Sequence, residues 1–176
     1  EGLRLKTFDC SQITDGYASL ILATEEGLAR LGLKKADCAR LAGFGQATDP
    51  LKKDGRDVLR PAGAYRAMGR AYEMAGVKPA DVNVAELHDC FTVMGAIGTE
   101  VVGKAPYGKG AQYWVDGKAA PDGECGINTS GGLIAKGHPV GATGVAMIGW
   151  AAWQLLGKAP APLQVKGARA AATFNI

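Results

Sequence analysis

The chain is poor in the features that mark membrane proteins and nucleic-acid-binding proteins. Its longest apolar runs, residues 18–23 and an interrupted run over residues 146–156, are shorter than the roughly 20 residues that a membrane-spanning helix needs. Lys and Arg number 20 against 17 Asp and Glu and are scattered, so we see no basic patch for nucleic acid. With 176 residues, 47% of them hydrophobic, one soluble domain with a substantial core is expected.

Cysteine is scarce and histidine scarcer, with four cysteines and two histidines in the chain. No two cysteines form a CxxC pair, and a chain this apolar does not need disulfide bonds, so we expect a reducing compartment, the cytoplasm. The sequence begins at Glu1 without a methionine or a signal-peptide pattern, and it stops at Ile176, directly after a predicted strand. We therefore expect a piece truncated at both ends that holds only part of a site.

Alternating strand and helix patterns predict an α/β fold. In the first half, residues 18–24 form an apolar run that predicts a buried strand, and residues 25–31 predict a helix. Residues 46–60 are polar and rich in turn signals, which indicates a surface loop. Apolar residues at helical spacing over residues 61–75, followed by Gly76, predict an amphipathic helix with a glycine cap.

The second half contains the residues best suited to chemistry. Residues 82–87 predict a short strand and residues 91–102 a helix, with a loop excursion over about residues 103–126. A mostly apolar helix is predicted over residues 142–156, and one or two strands over residues 163–174.

The two histidines, His88 and His138, both lie in unusual local sequences. Histidine is the side chain best suited to proton transfer near neutral pH. His88 follows a predicted strand, at the end where ligands bind in open α/β sheets. His138 lies among five glycines and before Pro139, ahead of a helix whose free amides would favour an anion or a developing oxyanion. A tight packing turn is the alternative interpretation of this glycine-rich segment.

Cys90 is expected to have a thiol pKa lowered by the neighbouring imidazole and a helix N-terminus, or else to be a buried small hydrophobe. For the three other cysteines, Cys10, Cys38 and Cys125, we expect the buried, inert role. Asp89 is expected to cap the helix that starts at Phe91 and to have no catalytic role. A zinc site made of His88, Cys90, Cys125 and His138 is disfavoured, because no pair has zinc-finger spacing, and we predict no metal.

Three aromatic residues of the loop excursion, Tyr107, Tyr113 and Trp114, have two possible roles. They line a pocket for an acyl chain or aromatic group, or they anchor the loop to the core. We favour anchoring.

Two motifs resemble those of the thiolase superfamily. His-Asp-Cys-Phe at residues 88–91 resembles the HDCF motif of sterol-carrier-protein-type thiolases, and Gly-His-Pro-Val-Gly-Ala-Thr-Gly at residues 137–144 resembles the GHPxGxTG motif. Residues 9–16 resemble the start of the C-terminal domain in this branch, which includes acetyl-CoA acetyltransferase-like proteins. The resemblance implies that residues 1–176 are a thiolase C-terminal domain, a mixed five-stranded sheet packed by helices and half of a five-layer αβαβα subunit.

The resemblance also implies roles for three residues. His138 would activate a nucleophilic cysteine and help polarise a thioester carbonyl, His88 would be an oxyanion-hole donor, and Cys90 would exchange a proton with the substrate. The nucleophilic cysteine is expected in the chain's own N-terminal domain, which is absent from this sequence, so this fragment alone is expected to be inactive. Coenzyme A is implied as co-substrate, with no permanently bound cofactor.

The implied activity is thiolysis of a 3-ketoacyl-CoA or the reverse Claisen condensation. Two alternatives remain at this point: retro-aldol cleavage of a CoA-bound β-hydroxy acid, with a role for Tyr107 or Tyr113, and a non-catalytic scaffold or a lipid- or CoA-binding subunit. The resemblance further implies a homo-oligomer and a possible small partner with an OB-fold and a zinc ribbon.

Overall fold

The computed structural model describes residues 4–50, 55 and 57–176. The described residues contain a three-stranded sheet with strand order β2-β1-β3, in which both pairings are parallel. Its strands are β1 (Val84–Leu87), β2 (Gly126–Ile127) and β3 (Ala171–Phe174). The α-helices are α1 (Glu25–Arg30), α2 (Ala62–Ala75), α3 (Thr92–Val101), α4 (Gly110–Val115), α5 (Gly132–Lys136) and α6 (Val140–Leu155). Short 3-10 helices lie at Thr7–Asp9, Lys35–Asp37, Pro79–Asp81 and Ala161–Leu163.

The central strand β1 organises the fold. All four of its residues are buried, as expected for a parallel strand that is covered on both faces. Val84 pairs with Gly126 on one side and with Ala171 on the other. Because the three strands run in the same direction, the residues that follow them meet at one edge of the sheet.

Helix boundaries follow local signals in the sequence. Helix α2 ends at Gly76, which adopts the left-handed conformation with φ of 64°, as its position after the apolar pattern predicts. Helices α1 and α3 confirm the predictions for residues 25–31 and 91–102 within one or two residues. Helix α6 begins two residues earlier than predicted. Its N-cap residue, Pro139, has a φ of −72°, which is already close to the helical value because the proline ring fixes it.

The predicted α/β class is confirmed, but the described residues contain three strands, all parallel, rather than the expected mixed sheet of five. Residues 18–24 have no strand assignment, although they form the apolar run that predicted one. A strand needs a neighbour with which to exchange backbone hydrogen bonds, and this run has none in the described chain. Of the one or two strands predicted over residues 163–174, one is present, β3.

The loop excursion over residues 103–126 contains the short helix α4, which the glycine-rich composition had not predicted. Tyr113 is buried in the hydrophobic core and Trp114 donates from Nε1 to Thr99 Oγ1 at 2.9 Å. The anchoring role is therefore confirmed for these two aromatic residues. Tyr107 is half exposed and donates to Asp57 Oδ2 at 2.8 Å.

The polar loop predicted over residues 46–60 lies partly outside the described residues. No helix in the described part of the chain is both long enough and apolar enough to cross a membrane.

Candidate functional site

His88 lies at the carboxyl end of β1. Its backbone N–H donates to Phe174 O at 2.8 Å, so the parallel pairing with β3 continues one residue beyond the strand. The side chain is 6% exposed. The strand pairing therefore fixes where this imidazole lies at the edge of the sheet.

His138 lies between α5 and α6, with Gly137 before it and Pro139 after it. Gly137 has a φ of 94°, which L side chains rarely adopt, and a Cβ there would come within 2.6 Å of Thr14 Oγ1. Pro139 is the N-cap residue of α6. The glycine and the proline together hold His138 at the start of a helix, half buried.

The structure brings the two imidazoles together. The ring centroids of His88 and His138 are 4.9 Å apart, and the ring planes meet edge to face at 87°. The glycine-rich segment is therefore more than a packing turn, since it places one imidazole against another from a distant part of the chain.

The hydrogen bonds around His138 favour one of its two tautomers. Its Nδ1 lies 2.8 Å from Thr143 Oγ1, and the Thr143 hydroxyl donates its single proton to Pro139 O at 3.1 Å. Thr143 Oγ1 must therefore accept the proton of Nδ1, which leaves Nε2 with a free lone pair. Burial and the nearby His88 lower the pKa of His138, while Asp89 opposes them. A neutral imidazole with a free Nε2 is suited to accept a proton near pH 7.

The chain end after β3 surrounds Nδ1 of His88. The Asn175 side-chain amide lies 2.9 Å from this nitrogen through Oδ1, and the Ile176 backbone N–H points to it at 3.5 Å. The two contacts favour different tautomers: Asn175 Oδ1 can only accept, which favours a proton on Nδ1, whereas the longer contact from the Ile176 N–H, which can only donate, favours a proton on Nε2. If the Asn175 amide is turned by 180°, its NH2 group faces Nδ1, and both contacts then donate to Nδ1 with the ring proton on Nε2. Nε2–H is then free to donate a hydrogen bond.

Cys90 follows Asp89 in the turn between β1 and α3 and is half buried. Its carbonyl oxygen accepts from Ser11 N at 2.9 Å. Burial raises the pKa of the Cys90 thiol, and the Phe91 backbone N–H only partly opposes this. The expectation of a lowered pKa is therefore wrong, because desolvation outweighs the local donors. A protonated thiol at neutral pH is suited to donate a proton.

Asp89 caps a different helix from the one expected. The N-cap of α3 is Phe91, and no side chain caps that helix. Asp89 Oδ1 instead accepts from Leu133 N at 2.6 Å, in the first turn of α5. Its role is structural, as expected, but it connects β1 to the segment that leads to His138.

The third motif, residues 9–16, lies against the other two. Cys10 forms an isolated antiparallel bridge with Phe91, and Asp9 Oδ1 accepts from Thr92 Oγ1 at 3.1 Å. Further along, Thr14 contacts Gly137, as described above, and a Cβ at Gly16 would come 2.9 Å from Pro139. This segment therefore runs past both histidine motifs.

The zinc alternative has no support in the described residues, where no group of three or more His, Cys, Asp or Glu side chains could hold a metal ion. Cys125, one of its four proposed ligands, is fully buried in the hydrophobic core. Burial raises the pKa of its thiol to about 11, as expected for an inert cysteine. Cys10 and Cys38 are only half buried, so the buried role expected for them does not hold.

Sequence reasoning singled out none of four polar residues that contact the histidines or lie in the segments beside them: Thr143, Asn175, Glu86 and Ser130. Thr143 lies within the second motif, and its hydroxyl was the available signal. Glu86 is a charge inside an otherwise apolar strand and is 1% exposed. A buried charge in such a strand is itself a signal, since it requires a partner. Nothing in the local sequence singled out Asn175 or Ser130.

Comparison with known proteins identifies the family of the chain. A model of the thiolase C-terminal domain-like family matches residues 45–176. The chain is 37% identical over 172 residues to an acetyl-CoA acetyltransferase of Methanothermobacter thermautotrophicus, covering 98% of this chain and 44% of that protein. It is 37% identical over 175 residues to sterol carrier protein 2 of Oryctolagus cuniculus, covering 98% of this chain and 32% of that protein.

Among solved structures, the Ltp2-ChsH2(DUF35) aldolase superposes with a TM-score of 0.64 at 20% sequence identity, covering 72% of this chain and 33% of that chain. At this identity the likeness shows the fold alone. The chain spans less than half the length of the curated relatives described above. The family match over residues 45–176 and the identity to relatives over almost the whole chain place this protein in the thiolase C-terminal domain-like family, with its α/β fold.

Proposed function

We propose that this chain is the C-terminal half of an acyltransferase that acts on CoA thioesters, by thiolysis of a 3-ketoacyl-CoA or the reverse Claisen condensation. The observation that carries the proposal is the pair of imidazoles of His88 and His138, with ring centroids 4.9 Å apart. The relatives named acetyl-CoA acetyltransferase support this reaction class. Residues 1–176 form the C-terminal domain, and the N-terminal domain supplies the nucleophilic cysteine.

In the thiolytic direction, His138 Nε2 takes the proton of the nucleophilic thiol, and the thiolate attacks the 3-keto carbon. The bond between C2 and C3 then breaks, and its electron pair moves to C2 and the thioester carbonyl. Cys90 gives its thiol proton to C2, so acetyl-CoA leaves and the shortened acyl group stays on the nucleophile. Splitting the reaction through an acyl-enzyme lowers each barrier. In the second step the Cys90 thiolate takes the proton of the CoA thiol, whose sulfur attacks the acyl-enzyme. The shortened acyl-CoA leaves, and the nucleophilic thiolate takes back its proton from His138.

His88 stabilises the negative charge that develops on the thioester oxygen. Its Nε2–H donates to this oxygen in the tautomer that the Ile176 N–H favours, with the Asn175 amide turned so that its NH2 group faces Nδ1. A donor held in place in a water-poor site contributes about 3 kcal/mol to the transition state. The raised pKa of Cys90 fits its role in the same step, because the thiol keeps its proton until the carbanion forms.

Two observations disfavour the retro-aldol alternative. Tyr113 is part of the hydrophobic core, and Tyr107 donates to Asp57, so both tyrosines that this alternative uses have other contacts. The likeness to the aldolase structure concerns the fold alone. A non-catalytic scaffold is disfavoured because it has no need for His88, Cys90 and His138 at one site.

Coenzyme A enters this reaction as co-substrate. The complete protein is proposed to form a homo-oligomer, and a small OB-fold and zinc-ribbon subunit is a further possible partner. Apolar side chains such as Phe8, at 89% exposed, and Ile13, at 101%, provide surface for such contacts. The four cysteines are free thiols, which fits a reducing cytoplasm.

The test uses the complete protein with its N-terminal domain and measures thiolysis of a 3-ketoacyl-CoA by CoA. We expect His138→Ala to lower kcat/KM by about 10²–10⁴-fold, the usual contribution of a general base. His138→Asn, which keeps a hydrogen-bond donor but cannot take the proton, should lose as much. Undiminished thiolysis in both variants contradicts the proposal. Cleavage of a β-hydroxyacyl-CoA without added CoA would identify an aldolase instead.

A further inference from the structure

Two buried carboxylates flank His88 at the end of β1. Glu86 is 1% exposed and Asp89 is 8% exposed. Removing a carboxylate from water is costly unless donors or a cation compensate it. Neither residue is among the proton-transfer groups proposed above. The donors that compensate the burial of these two carboxylates therefore indicate the structural role of Glu86 and Asp89.

Glu86 contacts both ends of α5. On the N-terminal side, Ser130 donates to it twice, from the backbone N to Oε1 at 3.2 Å and from Oγ to Oε2 at 2.5 Å. At the C-terminal side, Lys136 Nζ lies 3.8 Å from Glu86 Oε2 and donates to Ser130 Oγ at 2.9 Å. One carboxylate thus ties Ser130, two residues before the helix begins, and Lys136, the last residue of the helix, to the same strand.

Asp89 Oδ1 accepts a hydrogen bond from Leu133 N at 2.6 Å, in the first turn of the same helix. The backbone approaches so closely that a Cβ at Gly132 would clash with the Asp89 carboxylate. Gly132 has a φ of 59°, which also favours glycine. Two residues of α5, Leu133 and Lys136, and Ser130 just before the helix are therefore fixed to the end of β1.

Helix α5 ends at Lys136, two residues before His138, and β1 ends at Leu87, immediately before His88. The contacts of Glu86 and Asp89 therefore connect the segment that carries one imidazole to the strand that carries the other. We infer that Glu86 and Asp89 are positioning residues, which set the separation of the His88 and His138 rings by holding α5 against β1. Neither residue touches the reacting atoms.

The chain offers a matched control in Glu100. This carboxylate is 8% exposed, and its Oε1 accepts from a backbone amide, Gly110 N, at 2.8 Å. This bond joins α3 to α4, and neither helix carries a histidine. Glu86→Gln and Glu100→Gln therefore remove the same charge from two buried sites, of which only one supports the histidine pair.

The first measurement needs no activity. Because residues 1–176 contain two histidines, ring labelling of this chain with ¹⁵N and ¹³C produces two sets of imidazole signals, which NMR can assign. In Glu86→Gln we expect the His138 ring nitrogens to shift and the through-space signal between the two rings to fall at least twofold. Glu100→Gln should leave both unchanged. Ser130→Ala, which removes one link and keeps Glu86, should act like Glu86→Gln and serves if that variant does not fold.

Asp89 is tested in the same way. Asp89→Asn keeps an oxygen that can accept from Leu133 N, whereas Asp89→Ala does not. We expect Asp89→Ala to reduce the ring-to-ring signal more than Asp89→Asn. An unchanged signal in Glu86→Gln, Ser130→Ala and Asp89→Ala, or an equal change in Glu100→Gln, overturns the inference.

The second measurement rests on the proposed function and uses the complete enzyme. We expect Glu86→Gln to lower kcat for thiolysis by about 10-fold or more, since small misplacements of catalytic groups are costly, and to change KM less than twofold. Glu100→Gln should retain kcat. If the unmodified complete enzyme shows no thiolysis, the proposed function fails, while the NMR result still decides the positioning role.

Discussion

Residues 4–50 and residues 57–176 contain similar apolar runs but differ in how far these runs are buried. Every residue of the hydrophobic core cluster lies at Met68 or later, and the largest fully buried side chains include Leu87 and Leu133. In the first region, by contrast, Ile13 is 101% exposed and Tyr17 is 97% exposed. The difference shows that an apolar pattern becomes a core element only where a neighbour is available to cover it.

The two predicted strands illustrate this. Residues 84–87 pair on both edges, with β2 and β3, and all four are buried. Residues 18–24 have an equally apolar sequence but no strand assignment. Backbone hydrogen bonds to an adjacent strand, which the sequence pattern does not reveal, separate the two cases.

The strongest test of this comparison removes the same side-chain atoms from a leucine in each region. Leu87→Ala should lower the free energy of unfolding by about 3 kcal/mol, because Leu87 is 0% exposed and the change leaves a cavity. Leu22→Ala should change it by less than about 0.5 kcal/mol, because Leu22 is 71% exposed. Urea unfolding of this chain measures both. Equal losses would show that the two regions do not differ in packing.

A second pair of variants compares two glycines with positive φ. Gly132, at 59°, lies against the Asp89 carboxylate, whereas Gly32, at 68°, has no atom within 4 Å of an added Cβ. Gly32→Ala should cost about 1 kcal/mol from backbone strain alone. Gly132→Ala should cost about 2 kcal/mol or more, because the capping bond to Leu133 must also shift. Thermal unfolding gives the order, and a larger loss at Gly32 would contradict it.

The smallest effect concerns alkaline pH and Tyr72, whose hydroxyl donates to Val102 O at 2.8 Å. Burial raises the pKa of Tyr72 to about 12 from 10.0. The unfolded chain therefore loses this proton first, so the contribution to stability is complete below pH 10 and is lost as pH rises towards 12.

Tyr72→Phe should flatten this alkaline decline, at a cost of about 1 kcal/mol near pH 7 for the lost hydrogen bond. The matched control is Tyr17→Phe, which removes the same atom from a side chain that is 97% exposed. Chemical unfolding at several pH values between 7 and 12 measures the slope. An unchanged slope in Tyr72→Phe would exclude burial of this hydroxyl as its cause.

Local signals in the sequence predicted much of the fold and part of the candidate site. Gly76 marked the end of α2, and the helix predicted from residue 142 is present, beginning two residues earlier. The two motifs identified His88 and His138, and the structure places their rings in contact. These features were predictable because each depends on residues adjacent in the chain or on a recognisable motif.

The errors at the site concern partners that are distant in the chain. Asp89 was assigned to the helix that follows it, but its carboxylate accepts from Leu133, 44 residues away. Cys90 was expected to have a lowered pKa from its neighbours, but burial raises it. Glu86 received no role, because its partner Ser130 is also 44 residues away.

The sequence by itself determined which residues could transfer protons, which glycines and prolines bend the backbone around them, and to which family the motifs belong. The tertiary structure alone decided that the two imidazoles meet edge to face, that Thr143 leaves Nε2 of His138 free, and that two carboxylates hold α5 against β1. The reason is physical. Backbone preferences act between neighbours in the chain, whereas desolvation and hydrogen-bond partners depend on which distant segments the fold brings together.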